Sequence, residues 1–278
     1  MIVSIASGKG GTGKTSVAVN MALSIGNVQL LDCDVEEPNA YLLLHPEINR
    51  KEPVYTSIPK VDRILCNACG ECTKFCQFNA IFVASEKILV FPELCHSCGG
   101  CAMVCPKKAI TWEKHKIGTL NSGANDGVTI VYGELDVSKP LAIPVIKAVK
   151  KQIKKDGNVL LDSPPGTSCA FVETVSGSDF CILVTEPTPF GLHDLKIAVE
   201  VLRRVGVPLG VVVNRAGIGD KKVYEYCAKE NIHILLEIPY ERRIAELYSK
   251  GIPFCSEIPE WVDKFQQLYS KIKELVVK

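Results

Sequence analysis

Eight of the chain's thirteen cysteines lie between Cys66 and Cys105, in two runs of one spacing. Cys66, Cys69, Cys72 and Cys76 form C-x2-C-x2-C-x3-C, and Cys95, Cys98, Cys101 and Cys105 repeat it further along the chain. The repeat includes the flanks: CNACGECTKFCQFNAI at Cys66–Ile81 becomes CHSCGGCAMVCPKKAI at Cys95–Ile110. Thiolates are soft ligands, suited to zinc and to iron–sulfur clusters. Zinc needs only two C-x2-C pairs, so the third cysteine of each run would be surplus. Disulfides serve small secreted domains without a sufficient core, unlike a 278-residue chain that is 47% hydrophobic. Three cysteines so closely spaced can instead take three corners of an iron–sulfur cube. His96, between two of them, reads as an exposed imidazole, because as a ligand it would displace a better thiolate.

A second chemistry stands at the start of the chain. Gly8, Lys9, Gly10, Gly11, Thr12, Gly13, Lys14 and Thr15 fit G-x-x-x-x-G-K-[ST], directly after an apolar strand and at the opening of a helix. Glycines let backbone N–H groups curl around phosphate oxygens, and the helix N-terminus adds partial positive charge. In such a loop Lys14 reaches the β- and γ-phosphates of a nucleotide and the Thr15 hydroxyl ligates Mg²⁺. The bland alternative is a glycine-rich turn that binds nothing; strand, spacing and helix together argue against it.

These residues need a frame. Apolar runs at Ile2–Ala6, Val28–Leu31, Val128–Tyr132, Val159–Leu161, Cys181–Thr185, Gly210–Val213 and Ile234–Ile238 read as strands covered on both faces. Helical patterns run over Lys14–Ile25, Pro140–Lys151, Leu192–Val205, Lys221–Glu230, Glu241–Lys250 and Glu260–Val276. Their alternation predicts an α/β fold, a mostly parallel sheet with helices on both faces. Lys51–Lys60 and Lys116–Gly127, rich in Pro, Gly, Ser and Asn, read as seams around the cysteine segment. The expected division is residues 1–59 and 116–278 for one α/β domain, and 60–115 for an inserted domain.

The additional Lys9 makes the phosphate loop resemble the deviant P-loop of the MinD/ParA and nitrogenase-iron-protein family of dimeric ATPases. Three further segments are similar to that family. The run from Asp32 through Asp34 to Asn39 resembles its first switch, which implies that Asp34 orients the attacking water. The run from Asp162 to Gly166 resembles its Walker B and second switch, which implies Asp162 near Mg²⁺ and the Gly166 amide on the γ-phosphate. Asn214 and Arg215 end a strand where the family places an adenine-binding Asn. The resemblance further implies that Lys9 reaches the partner subunit's nucleotide in a closed dimer. From the residues alone, Lys9 reads as a solvated loop lysine. Asp34 and Asp162 could be caps or turn carboxylates, although both end predicted strands at the edge where ligands bind.

The cysteine runs are similar to those of bacterial two-cluster ferredoxins, in which the fourth cysteine of each run ligates the other cluster. The resemblance implies one [4Fe–4S] cluster on Cys66, Cys69, Cys72 and Cys105, and another on Cys95, Cys98, Cys101 and Cys76, in an α+β inserted domain. Cys105 precedes Pro106 as in that family, whereas Cys76 precedes Gln77, a change that leaves the ligands intact. Cys33 and Cys169 do not sit where the nitrogenase iron protein shares a cluster between subunits. The last half of the chain has no C-x2-C, the interfacial motif of the family's iron–sulfur scaffold proteins.

Thirty-two basic against thirty-one acidic residues give a net charge of +1, so no field draws nucleic acid or anionic membrane. No apolar run approaches the length of a membrane span, and the start lacks a basic leader, so the chain reads as cytoplasmic. The last helical pattern, with Trp261, Phe265, Leu268, Ile272 and Leu275 on one face, reads as core packing rather than a membrane anchor. The expectation is an ATPase using ATP, Mg²⁺ and two [4Fe–4S] clusters, dimeric with itself or with a paralogue. It would couple nucleotide state to electron transfer with a redox partner. Assembly of a metal-cluster protein, and positioning or redox regulation, are the alternatives.

Overall fold

A computed structural model describes residues 1–84 and 87–277. The strands are β1 (Ile2–Ala6), β2 (Val28–Asp32), β3 (Glu47–Val61), β4 (Ile81–Ala84), β5 (Lys87–Val90), β6 (Ile110–Asn125), β7 (Val128–Leu135), β8 (Asn158–Asp162), β9 (Phe180–Thr185), β10 (Leu209–Ala216) and β11 (Ile234–Pro239). Nine of them form one sheet in the order β11-β10-β9-β1-β8-β2-β7-β6-β3. All neighbours from β11 to β7 are parallel, while β6 pairs antiparallel with β7 and with β3. The helices are α1 (Lys14–Ile25), α2 (Ala40–Leu44), α3 (Glu71–Phe75), α4 (Gly100–Met103), α5 (Ile143–Lys150), α6 (Cys169–Val175), α7 (Pro189–Val205), α8 (Lys222–Lys229), α9 (Arg242–Ser249), α10 (Phe254–Glu257) and α11 (Glu260–Val277).

Alternation along the strands feeds a core on each face. Leu160, Ile182 and Val184 pack with α1 and α11, while Leu161, Cys181 and Leu183 turn to the opposite side. Trp261, Phe265, Leu268 and Ile272 of α11 lie in the first of these cores. That helix is therefore a structural wall of the sheet.

The two segments expected as seams are largely strand. Lys51–Lys60 lies within β3 and Lys116–Asn125 within β6, and the two strands form a ladder from Glu47↔Ala124 to Val61↔Ile110. Pro53 and Pro59 are tolerated because β3 is the sheet's edge strand, where a missing N–H costs no ladder bond. Gly118 pairs with Leu135, the last residue of β7, so Ile110–Ile117 runs on past the carboxyl edge of the parallel strands. That extension of strand carries the chain roughly 25 Å, at about 3.3 Å for each residue. The segment between β3 and β6 thus rises from the edge that bears the phosphate loop.

Beyond the ladder, β4 and β5 form a two-stranded sheet, and two small apolar clusters centre on Ile58 with Ala80 and on Ile81 with Ile110. The sequence repeat is a structural repeat. Left-handed backbone occurs at Ala68 and Ser97, at Gly70 and Gly99, and at Asn79 and Lys108, each pair occupying equivalent positions in the two runs. Helices α3 and α4 begin at equivalent positions too.

Candidate functional site

The phosphate loop connects buried β1 to α1. Gly11 and Gly13 have φ of 76° and 93°, values that side chains with a Cβ rarely adopt. At Gly13 a Cβ would strike the Asn214 amide, whose Nδ2 donates to the Thr12 carbonyl at 2.8 Å. The end of β10 is thereby tied to the loop. Lys14 is buried at the helix start, and the Ser7 hydroxyl donates to the Lys9 carbonyl at 2.6 Å. The Gly166 N–H donates to the Ser7 carbonyl at 3.2 Å, which brings the 162–166 segment against the loop.

Asp162, at the end of β8, is fully buried. Among the described residues neither of its carboxylate oxygens has a hydrogen-bond partner, and the Thr12 hydroxyl is orphaned in the same way. Buried polar atoms in native proteins are normally paired, so three such atoms mark a place where a polar or charged group belongs. Burial and the charge of Asp34 push the Asp162 carboxyl up, with the charge of Lys14 opposing. A divalent cation facing Thr15 and Asp162 fits that donor set.

Asp32 is equally buried, but it accepts from the N–H groups of Asp34, Asn39 and Ala40, each at 3.0 Å. It braces the loop over 33–39 and so fixes Asp34 near Lys14. Burial, then the neighbouring Asp32, pushes the Asp34 carboxyl up to about 7, with Lys14 opposing. A half-buried carboxyl near neutrality beside the phosphate loop can hold a water or take its proton. Cys33 is sealed in the α5 core, and Cys169 is exposed at the start of α6.

Lys9 is not a free loop lysine. Its Nζ lies 3.3 Å from Glu186, and the other carboxylate oxygen of Glu186 lies 2.7 Å from Arg215. No motif in the sequence singles out Glu186. The available signal was a lone carboxylate just past the carboxyl end of Cys181–Thr185, where ligands bind. Asn214 and Arg215 also border a cavity of about 780 Å³ beside Gly11 and Gly13, with Ile218 and Tyr240 on its walls. The size and mixed lining suit a nucleobase with its ribose.

The eight clustered cysteines divide between two cavities. One, of about 330 Å³, is lined by Cys76, Cys95, Cys98 and Cys101; the other is lined by Cys66, Cys69, Cys72 and Cys105. Each set draws its fourth thiol from the opposite run. Among the described residues no three His, Cys, Asp or Glu side chains converge tightly enough for a single metal ion. The Cys76, Cys95, Cys98 and Cys101 thiols border open space that fits a polynuclear cluster, whereas the Cys66, Cys69, Cys72 and Cys105 thiols enclose only about 10 Å³. The N–H groups of Ala80 and Ala109 donate to the sulfurs of Cys76 and Cys105, both at 3.3 Å, again at equivalent positions of the repeat. Burial pushes the thiols of Cys72 and Cys95 up, and that of Cys101 to about 11, so a bound cation is needed to hold them as thiolates. His96 is exposed and stacks on Phe78 with ring centroids 3.7 Å apart.

Residues 3–254 match the CobQ/CobB/MinD/ParA nucleotide binding domain. Two Methanocaldococcus jannaschii proteins, MJ0578 and MJ0579, are 31% and 29% identical over 99% of this chain and 98% and 96% of their own lengths. An iron-sulfur cluster carrier protein from the same organism is 23% identical over 98% of this chain and 83% of its own length. Among solved structures, the septum site-determining protein MinD complexed with Mg-ADP from Pyrococcus horikoshii superposes with a TM-score of 0.61 at 21% identity. That match covers 99% of this chain and 96% of that one. The parallel sheet with flanking helices is thus a MinD-like P-loop fold, and the chain belongs to the CobQ/CobB/MinD/ParA nucleotide-binding family.

Proposed function

We propose that the chain is a dimeric, Mg²⁺-dependent ATPase whose nucleotide state governs two resident [4Fe–4S] clusters. The single observation that carries this reading is the β3–β6 ladder, which joins two four-thiol cavities to the edge holding the phosphate loop. On this reading each residue of the site has a role. Backbone N–H groups of Gly8–Thr15 and the Lys14 ammonium hold the phosphates. Thr15 and Asp162 hold Mg²⁺, and Asn214 with Arg215 flanks the base. Asp34 orients water for in-line attack on the γ-phosphorus, breaking the bond to the β–γ bridging oxygen and releasing ADP and phosphate. Lys9 leaves Glu186 to reach the nucleotide of a second subunit, so hydrolysis needs a closed dimer. That subunit is another copy or a paralogue, an arrangement for which MJ0578 and MJ0579 together in one organism offer a parallel.

The clusters, when bound, supply reversible one-electron storage between a low-potential donor protein and an acceptor. Cys66, Cys69, Cys72 and Cys105 hold one; Cys95, Cys98, Cys101 and Cys76 hold the other. The 60–115 segment is, on this reading, an inserted ferredoxin-like domain. A second reading, delivery of clusters to an apo-protein, is favoured by the similarity to a protein named as an iron-sulfur cluster carrier. The experiment that separates them is anaerobic: the loaded chain is incubated with an apo-acceptor and ATP, then re-isolated. Retention of iron and sulfide with reversible reduction supports the electron-carrier reading. Transfer of iron and sulfide to the acceptor would replace it with delivery.

A further inference from the structure

We infer that the segment Leu135–Lys139 relays nucleotide state to the cluster on Cys95, Cys98, Cys101 and Cys76 in preference to the other. The inference rests on the function proposed above and adds the route of its regulation. The chain of contacts is short and continuous. Val35, next to Asp34 in the nucleotide-side loop, accepts from the N–H of Leu135 at 2.8 Å. The next residue, Asp136, donates its N–H to the Ile117 carbonyl of β6 at 2.9 Å, and its carboxylate holds Lys116 at 2.8 Å. Lys139 donates its own N–H to the Asp136 carbonyl at 3.1 Å. Its Nζ lies 2.9 Å from Glu93 and 2.9 Å from His115 Nε2. An ammonium only donates, so that imidazole nitrogen accepts and the ring proton sits on Nδ1.

Glu93 belongs to the single turn Pro92–Leu94, and the N–H of Cys95 donates to the Pro92 carbonyl at 3.1 Å. A shift of the 33–39 loop therefore moves Leu135 and Asp136, then Lys139, then the turn that sets the first thiol of the Cys95 run. Cys66 has a different anchor: its N–H bonds the Asp62 carbonyl just past β3, which meets the relay only through the β3–β6 ladder and not through Lys139 and Glu93. Lys139 is 18% exposed, shielded enough for its ion pair to define a position. Loops that surround a γ-phosphate rearrange on its binding and loss, which supplies the two states that such a relay needs. Cluster potential responds to the hydrogen bonding and solvent exposure of its thiolates. Lys139 is thus a positioning residue for one cluster.

The test uses the full-length loaded chain with Mg-ADP and with a non-hydrolysable Mg-ATP analogue. Midpoint potentials of the two clusters are read by EPR titration, the signals being assigned with Cys69→Ser and Cys98→Ser chains. Hydrogen exchange is followed at the amides of residues 93–96. In the native chain the two nucleotide states should differ at the Cys95-set cluster and in exchange over 93–96. Lys139→Met should remove most of both differences while kcat for ATP changes less than twofold. By linkage, a shift of about 59 mV equals a tenfold change in affinity for the analogue between oxidised and reduced chains, and Lys139→Met should bring those affinities together. Should that variant lose its iron, Glu93→Gln removes the same ion pair from its exposed side. A nucleotide difference that survives both variants, or one confined to the Cys66-set cluster, overturns the relay. If the native chain shows no difference at either cluster, the coupling proposed as its function is what fails.

Discussion

Lys9 Nζ stands 3.3 Å from a carboxylate oxygen of Glu186, and the second oxygen of that group holds Arg215 at 2.7 Å. One nearly buried carboxylate thus neutralises the lysine that distinguishes this phosphate loop and the arginine beside Asn214. In the single chain Lys9 is engaged within its own subunit. A role across a dimer interface would require breaking that pair, and on the proposed function Glu186 would then oppose closure.

Glu186→Gln should consequently favour the ATP-bound dimer. Lys9 and Arg215 are each partly exposed and can be solvated once released, so the pair contributes about 1 kcal/mol rather than the larger penalty of a sealed ion. Dimerisation followed by light scattering should reach its midpoint at about fivefold lower ATP concentration. An unchanged or higher midpoint would show that Glu186 does not restrain Lys9.

The complementary prediction concerns which subunit uses the lysine. Lys9→Ala chains should bind ADP nearly normally and hydrolyse ATP at least about tenfold more slowly, and Asp34→Ala chains should bind ATP and accumulate as dimers. A mixed dimer of the two should regain one working site, with roughly half the native rate, from the intact Asp34 of one chain and the intact Lys9 of the other. Absence of rescue in a verified mixed dimer would place Lys9 in its own subunit's site.

Much of this frame was legible in the sequence, for identifiable reasons. β1 and α1 fall at the expected residues because an unbroken apolar run meets Gly13 and Lys14 at a boundary that the backbone enforces. α5 begins at Ile143 instead of Pro140, since Pro144 belongs in a helix's first turn. The β3–β6 ladder was hidden because Pro53, Pro59, Gly118 and Gly123 read as loop residues, and only an edge position makes the prolines acceptable. Glu186 was hidden for another reason. A lone carboxylate has no spacing to betray it, and its two cationic partners, Lys9 and Arg215, stand on other strand ends far from it in the chain.

Asp34 also gives the nucleotide-free protein a signed pH dependence. Its carboxyl titrates at about 7 when folded and near the ordinary Asp value when unfolded. Between about pH 4 and 7 the folded chain binds more protons from this group, so its contribution to stability falls as pH rises through that window. Asp34→Asn should remove the slope. Its thermal midpoint should exceed that of the native chain by about 2–4 °C at pH 8, corresponding to about 1 kcal/mol after solvent screening, with the gain vanishing toward pH 4–5. The same variant should lose hydrolysis. Equal midpoints across pH 5–8 would mean that Asp34 is ionised in the folded chain like any surface aspartate.

The two cysteine cavities make a final prediction about which thiols act together. Because Cys105 lines the cavity of Cys66, Cys69 and Cys72, it lies with the earlier run rather than with its own neighbours in the chain. The native chain prepared without oxygen should carry about eight irons and eight sulfides. Cys105→Ser should halve that content or convert one cluster to a three-iron form. The cluster it damages should be the one that Cys69→Ser damages, as judged by loss of the same EPR signal. Cys76→Ser should remove the signal that Cys98→Ser removes. Each run lends its last cysteine to the other, so a lesion in one run should also loosen the opposite cavity through the N–H donated by Ala80 or Ala109 to that sulfur. If Cys105→Ser instead removes the signal shared with Cys95, Cys98 and Cys101, ligation is uncrossed. Stoichiometric zinc without sulfide in the native chain would replace both clusters with mononuclear sites.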